Sequence, residues 1–264
     1  MKIQSYACGQ WVSGEASATE LKSAISGELI ASVQSMQSGF EQMLEYARDE
    51  VAGELQRYSI HQRANLLKDL AKHLLAKKED FYALSLHTGA TRNDSWVDIE
   101  GGISTLFSYS GIARRELTNE KFIVEGDLQA LSAKGSFVGH HLLTSKKGAS
   151  VHINAFNFPV WGMLEKIAPS IIAGVPVIVK PATVSCYLTQ AVVREIIASE
   201  ILPKGCVQLI CGSTGDLLDH LTSQDVITFT GSASTGQMLK NHPNITHNSV
   251  PFTMEADSLN ACVL

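Results

Sequence analysis

From residue 149 onward, short apolar runs alternate with stretches of helical period. The pattern predicts strands at 151–155, 175–180, 207–211, 226–230 and 251–255, with helices at 160–172, 186–199, 215–221 and 234–239 between them. Strands separated by helix-length segments form βαβ units, and hence a parallel sheet covered on both faces. Right-handed crossovers then bring the strand ends to one edge, where ligands bind. The predicted class is α/β, and the change of rhythm divides the chain into 1–148 and 149–264.

The first part has other rhythms. Residues 1–36 read as short strands and turns, and 39–86 as helix, with Ala64, Leu67, Leu70, Ala71 and Leu74 recurring at three- and four-residue steps. His73 falls beside that stripe, where a half-buried, hydrogen-bonded histidine is expected rather than a catalytic one. Thr88-Gly89 breaks the helix, and 96–113 resumes it. Residues 117–135 read as an irregular polar excursion, followed by a strand at 140–145, a turn, and a second strand from 149 that together resemble a hairpin. The His140-His141 pair has no third ligand at metal spacing in the sequence, so a strand is expected there.

Composition narrows the partners. The 264 residues are 45% hydrophobic and 18% charged with net charge −5, and basic residues cluster no further than pairs such as Arg114-Arg115. Nucleic acid and anionic membrane are therefore not expected partners. The N-terminus lacks the apolar core of a signal peptide, and no apolar run reaches membrane-span length. Five cysteines at irregular spacing, without a metal-ligand pattern, point to free thiols in the cytoplasm.

Chemistry-bearing residues stand at the strand ends. Asn157 lies between two aromatics and a proline at the first strand-to-helix joint, where its amide either caps the helix or stabilises an oxyanion. Lys180 ends a run of apolar residues and is either a solvated charge or a partner for a sugar hydroxyl or phosphate. The stretch Phe229-Thr230-Gly231-Ser232 runs into a helix start, which is either an ordinary cap or a pyrophosphate cradle. Glu255 closes a strand that reads as buried; burial would raise its pKa and suit it to general-base work, while pairing with a lysine is the structural alternative.

The order Asn157-Phe158-Pro159, Lys180-Pro181-Ala182, Leu202-Pro203-Lys204-Gly205, Phe229-Thr230-Gly231-Ser232 and Glu255 resembles the aldehyde dehydrogenase superfamily over nearly the whole chain. Trp96-Val97-Asp98-Ile99-Glu100-Gly101-Gly102, His152-Ile153-Asn154-Ala155 and Phe252-Thr253-Met254-Glu255-Ala256-Asp257-Ser258 narrow it to a subgroup. That subgroup comprises the bifunctional ring-opening enzymes of bacterial phenylacetate degradation. The resemblance implies a Rossmann-like coenzyme-binding domain, a small-molecule aldehyde substrate linked to CoA, and a homo-oligomer at full length. It implies catalytic roles for Asn157, in the oxyanion hole, and for Glu255, as general base. It implies cofactor contacts from Phe156, Lys180, Thr183, Thr230, Gly231 and Ser232. Many NAD-preferring relatives carry a glutamate where this chain has Thr183; without that carboxylate a 2′-phosphate is not repelled, so NADP is expected, with NAD also accepted.

Two departures accompany the match. The family follows its glutamate with a hydrophobic residue and Gly-Gly, and this chain has Ala256-Asp257-Ser258. The family's nucleophilic cysteine lies some tens of residues beyond the glutamate, and the chain ends at Leu264. The expectation is thus a coenzyme-binding portion, inactive alone, with the catalytic domain and nucleophile elsewhere. Cys262, in the apolar run 259–264, is expected to be a buried inert thiol. A stand-alone nucleotide-binding or oligomerisation module is the competing expectation.

Overall fold

The computed structural model describes residues 1–257; Cys262 and the apolar run at 259–264 lie outside them. The chain opens with five short strands, β1 (Lys2–Ile3), β2 (Ser5–Ala7), β3 (Gln10–Val12), β4 (Thr19–Lys22) and β5 (Leu29–Val33). Helices α1 (Phe40–Glu45), α2 (Ala52–Leu55), α3 (Ile60–Ala76), α4 (Lys78–Ser85), α5 (Arg92–Trp96) and α6 (Gly102–Glu116) follow. A capping box starts α3: Gln62 N donates to Ser59 Oγ at 3.2 Å, and Ser59 N donates to Gln62 Oε1 at 2.8 Å. Helices α5 and α6 are continuous through a π-helical stretch, Val97–Gly101.

After two strands, β6 (Ile123–Ala130) and β7 (Val138–Leu143), the alternating part begins: β8 (Ser150–Ile153), α7 (Trp161–Ile172), β9 (Val177–Lys180), α8 (Cys186–Ala198), β10 (Val207–Leu209), β11 (Val226–Gly231), α9 (Ala233–Lys240), α10 (Pro243–His247) and β12 (Phe252–Ala256). The expected strands are all there, within a residue or two. The helix expected at 215–221 is only a short 3-10 turn, Leu217–His220, and α10 was not anticipated.

A seven-stranded sheet runs in the order β12-β11-β8-β9-β10-β2-β3. Its five strands from β8 to β12 are parallel, while β2 joins β10 antiparallel and carries β3. From β8 the chain moves outward through β9 and β10, then returns to the other side of β8 for β11 and β12. The strand order thus reverses between β8 and β11, and a crevice opens beyond their carboxyl ends.

Each face of the sheet has its own core. Val177 and Val179 pack with Met163, Leu164, Ile167 and Ile171 of α7 and with α3, α6 and α8. The alternate positions Val151, Ile153, Ile178 and Ile227 pack with Phe40, Met43 and Leu44. This two-sided burial is why the strands read as continuous apolar runs. Helix α6 approaches α7 so closely that a Cβ on Gly102 would stand 2.8 Å from Trp161 Cα, so only glycine fits there. His73 lies half-buried with Nε2 3.1 Å from Glu195 Oε2, the structural role expected of it.

Two expectations fail upstream of the sheet. Residues 117–135 are not irregular throughout, because β6 occupies the middle of them and pairs antiparallel with β7. The hairpin expected across 140–155 does not form: β8 is buried on both faces and takes its partners from β9 and β11, leaving β7 to β6. The β6–β7 ribbon also brings Glu125 Oε2 to 3.4 Å from His141 Nδ1, a carboxylate the sequence spacing did not reveal. Among the described residues, no helix is long and apolar enough to cross a membrane.

Candidate active site

Asn157 lies in the turn that leaves β8, and Glu255 lies on β12, two strands away across β11. Both line one cavity of about 390 Å³, with Phe158, Trp161, Glu165 and Thr230 around it. A larger cavity, about 740 Å³, lies at the entry to β10 among Tyr6, Trp11, Ile201 and Lys204, and holds none of the candidate residues.

The turn after β8 bears on the capping reading of Asn157. Helix α7 begins at Trp161 with Val160 in the N-cap place; in the turn leading into it, Gly162 N donates to Phe158 O at 2.9 Å and Pro159 has no N–H. The next two N–H groups are served from another helix. Val160 N and Trp161 N donate to Asp98 Oδ1 at 3.1 and 2.8 Å. Thr189 Oγ1 holds Pro159 O at 3.3 Å from α8. Asn157 caps nothing; its side chain is exposed and makes no hydrogen bond among the described residues. Phe156, beside it, is 64% exposed.

Glu255 differs from its expected setting. It is exposed, because β12 is the outermost of the described strands and has a partner on one side only. Apolar neighbours in sequence made the strand read as buried, but burial depends on a second neighbouring strand. Instead of a lysine, Glu255 has Thr230, which donates from Oγ1 to Oε2 at 3.1 Å. Thr230 therefore faces the same cavity as Asn157 and orients the carboxylate within it.

The remaining candidates gather at the carboxyl ends of β9 and β11. Lys180 is largely withdrawn from water, and burial pushes its ammonium below the ordinary lysine range, with the nearby Cys186 and Cys211 acting the other way. It is thus not the solvated charge of the structural alternative, and among the described residues no carboxylate is paired with it. Thr183 opens a 3-10 turn three residues on. Gly231 ends β11, and Ser232 is the N-cap of α9, its Oγ accepting from Thr235 N at 3.3 Å.

The turn after Glu255 carries the departure from Gly-Gly in full. Asp257 adopts φ 56°, the left-handed region that glycine enters freely, and donates from its own N to Gly231 O at 3.1 Å. Its Oδ1 accepts from Ala233 N at 3.0 Å, so an acidic side chain already holds one donor at the start of α9.

Reasoning along the sequence missed Asp98, Trp161, Glu165 and Lys166. Trp161 and Glu165 form the cavity wall on α7, with Trp161 Nε1 donating to Glu165 Oε2 at 3.0 Å and Lys166 Nζ to Glu165 Oε1 at 2.8 Å. The one available signal was an acidic residue between Val97 and Ile99 on an apolar helix face.

Comparison with known proteins identifies the family. Residues 11–264 match the aldehyde dehydrogenase family. The chain is 39% identical, over its whole length, to 3,4-dehydroadipyl-CoA semialdehyde dehydrogenase of Aromatoleum evansii, and covers 51% of that protein. Among solved structures, PnpE in complex with nicotinamide adenine dinucleotide is similar with TM-score 0.82 and 24% identity, over 97% of this chain and 51% of that one. An NADP-dependent enzyme of E. coli is similar with TM-score 0.81 and 18% identity, over 97% and 51% respectively. These structures share the fold, and the chain spans about half the length of the relatives it matches. On its sequence as well as its architecture, the chain belongs to the aldehyde dehydrogenase family.

Proposed function

We propose that this chain is the coenzyme-binding portion of an NAD(P)-dependent aldehyde dehydrogenase that oxidises a CoA-linked semialdehyde, from phenylacetate breakdown, to the acid. The observation that carries the reading is the free Asn157 amide sharing one cavity with Glu255 at the reversal of strand order. The name and 39% identity of the Aromatoleum evansii relative support the substrate class.

The residues present fit a dinucleotide. Lys180 offers a largely buried cation with no acidic partner among the described residues, and Ser232 presents a hydroxyl at the start of α9. Lys180 and Thr183 would hold the adenosine ribose with or without a 2′-phosphate, Ser232 and Gly231 the pyrophosphate, and Phe156 would cover it. When bound, the nicotinamide accepts the hydride that leaves the substrate carbon. Asn157 donates from Nδ2 to the oxyanion that develops on the substrate oxygen. Glu255, oriented by Thr230, takes a proton from the water that releases the acid.

The β6–β7 ribbon supports a homo-oligomer of the whole protein, since Leu128, Leu131, Phe137 and Leu142 are each more than half exposed on it. Cys8, Cys186, Cys206 and Cys211 are unbridged, which suits a cytoplasmic protein.

A binding titration of NADP and NAD tests the cofactor assignment. The chain is expected to bind NADP at least as well as NAD. Thr183→Glu is expected to shift the ratio toward NAD by about tenfold, or ~1.4 kcal/mol, because a carboxylate repels the 2′-phosphate. An unchanged ratio would remove the assignment of position 183 to the ribose.

A further inference from the structure

We infer that Asp98 is a positioning residue for Asn157: by capping the first turn of α7 from another helix, it leaves the Asn157 amide free to face the cavity. Its importance for catalysis rests on the oxyanion reading above, but the positioning itself does not.

The reason lies in the donors of the first turn. Val160 stands in the N-cap place and has no acceptor in its side chain, and no side chain of the turn caps α7. Pro159 has no N–H to satisfy. Val160 and Trp161 carry the next two N–H groups, which precede the helical bonding and lack a helical acceptor, and Val160 is fully buried, so water cannot replace Asp98. The alternative acceptor nearest in sequence is Asn157, three residues before Val160, which is the reach of a capping side chain. Without Asp98, the chain gains by folding the Asn157 amide back onto α7 and out of the cavity. Asp98 forestalls this with both oxygens, Oδ2 also standing 3.4 Å from Val160 N.

The anchor responds to protons. Asp98 is only 5% exposed; burial lifts its carboxyl to about 6, while the bonds from Trp161 N and Val160 N act in the other direction. The charged groups on the elements packed around it are engaged elsewhere. Glu100 accepts from Lys78 and Tyr82 of α4, Arg92 of α5 pairs with Glu79, Glu165 and Lys166 of α7 pair with each other, and Arg63 of α3 donates to the Ile172 and Tyr58 carbonyls. Protonation takes the charge from the acceptor and weakens its hold on both N–H groups.

Amide spectra of the 15N-labelled chain between pH 5 and pH 8 test the inference. The Val160 and Trp161 backbone amides and the Asn157 side-chain amide are expected to move together with one midpoint near pH 6. In Asp98→Asn that inflection disappears from all three, and at pH 8 the Asn157 signal moves toward its acidic wild-type position. The inference is overturned if Val160 and Trp161 respond while the Asn157 side chain is indifferent to both pH and substitution. Should Asp98→Asn not fold, the wild-type titration decides alone. An intact enzyme that keeps its kcat after Asn157→Ala would remove the oxyanion reading and leave the positioning untouched.

Discussion

Replacing Asp225 by alanine is expected to cost about 3–5 kcal/mol, the range for removing one partner of a buried ion pair. The Asp225 side chain is fully buried, just before β11, and is paired with Arg48. Its carboxylate also accepts from Ala149 N at 2.8 Å, Thr222 N at 2.8 Å and Thr222 Oγ1 at 3.0 Å. The alanine variant leaves the Arg48 guanidinium without its counter-charge and the buried Ala149 N–H without an acceptor. Ala149 leads into β8 and Asp225 into β11, so the same carboxylate sets the spacing of the two strands that flank the crevice. Denaturant midpoints at constant slope measure the loss. Asp225→Asn, which keeps an acceptor, should lose less; an alanine variant within about 1 kcal/mol of wild type would show that the pair does not close the fold.

A second large effect should appear in acid, as two opposed slopes. His152 is fully buried between Ser150 Oγ at 2.9 Å and Ser170 Oγ at 3.2 Å; burial, aided by Lys166, pulls its pKa from 6.5 to about 3. Between those values the unfolded chain binds a proton that the folded chain does not, so stability falls as pH falls. Asp98 has the reverse sign. Its pKa rises from 3.8 to about 6, so the folded chain binds the extra proton and gains stability as pH falls through that window. Each slope amounts to roughly 1.4 kcal/mol per pH unit. Relative to wild type, His152→Gln should therefore become steadily more stable below pH 6.5, and Asp98→Asn steadily less stable between about 6 and 4. Urea midpoints at several pH values give both differences, and variant curves that run parallel to wild type would refute the assignment.

What the sequence revealed and what it concealed divide along the range of the interactions. The parallel strands were legible because two-sided burial writes itself as local apolar runs, and Lys180 and Ser232 stood at their ends by simple counting. Ribbon β6–β7 was half-missed because neither of its faces is buried, so β6 carries no alternation to read. Glu255 reads as buried from its apolar neighbours in sequence, but among the described residues β12 has a neighbouring strand on one side only. Asp98 escaped because its partners lie 62 and 63 positions further along the chain, and Arg48 because Asp225 lies 177 away. The family resemblance suggested which residues to look at but carried no information on the way they are held.

The cap that α7 borrows from Asp98 also bears on how this site can change over generations. A turn that caps its own helix is constrained twice at the same position, for folding and for chemistry. Here the two demands fall on different residues, so positions 157 and 158 are released from the first. In a saturation library sorted only for protease resistance, those positions should accept replacements as readily as an exposed loop, within about ±0.5 kcal/mol. Position 98 should tolerate little beyond short polar acceptors. The loop that lines the cavity is then free to change without eroding the fold that carries it.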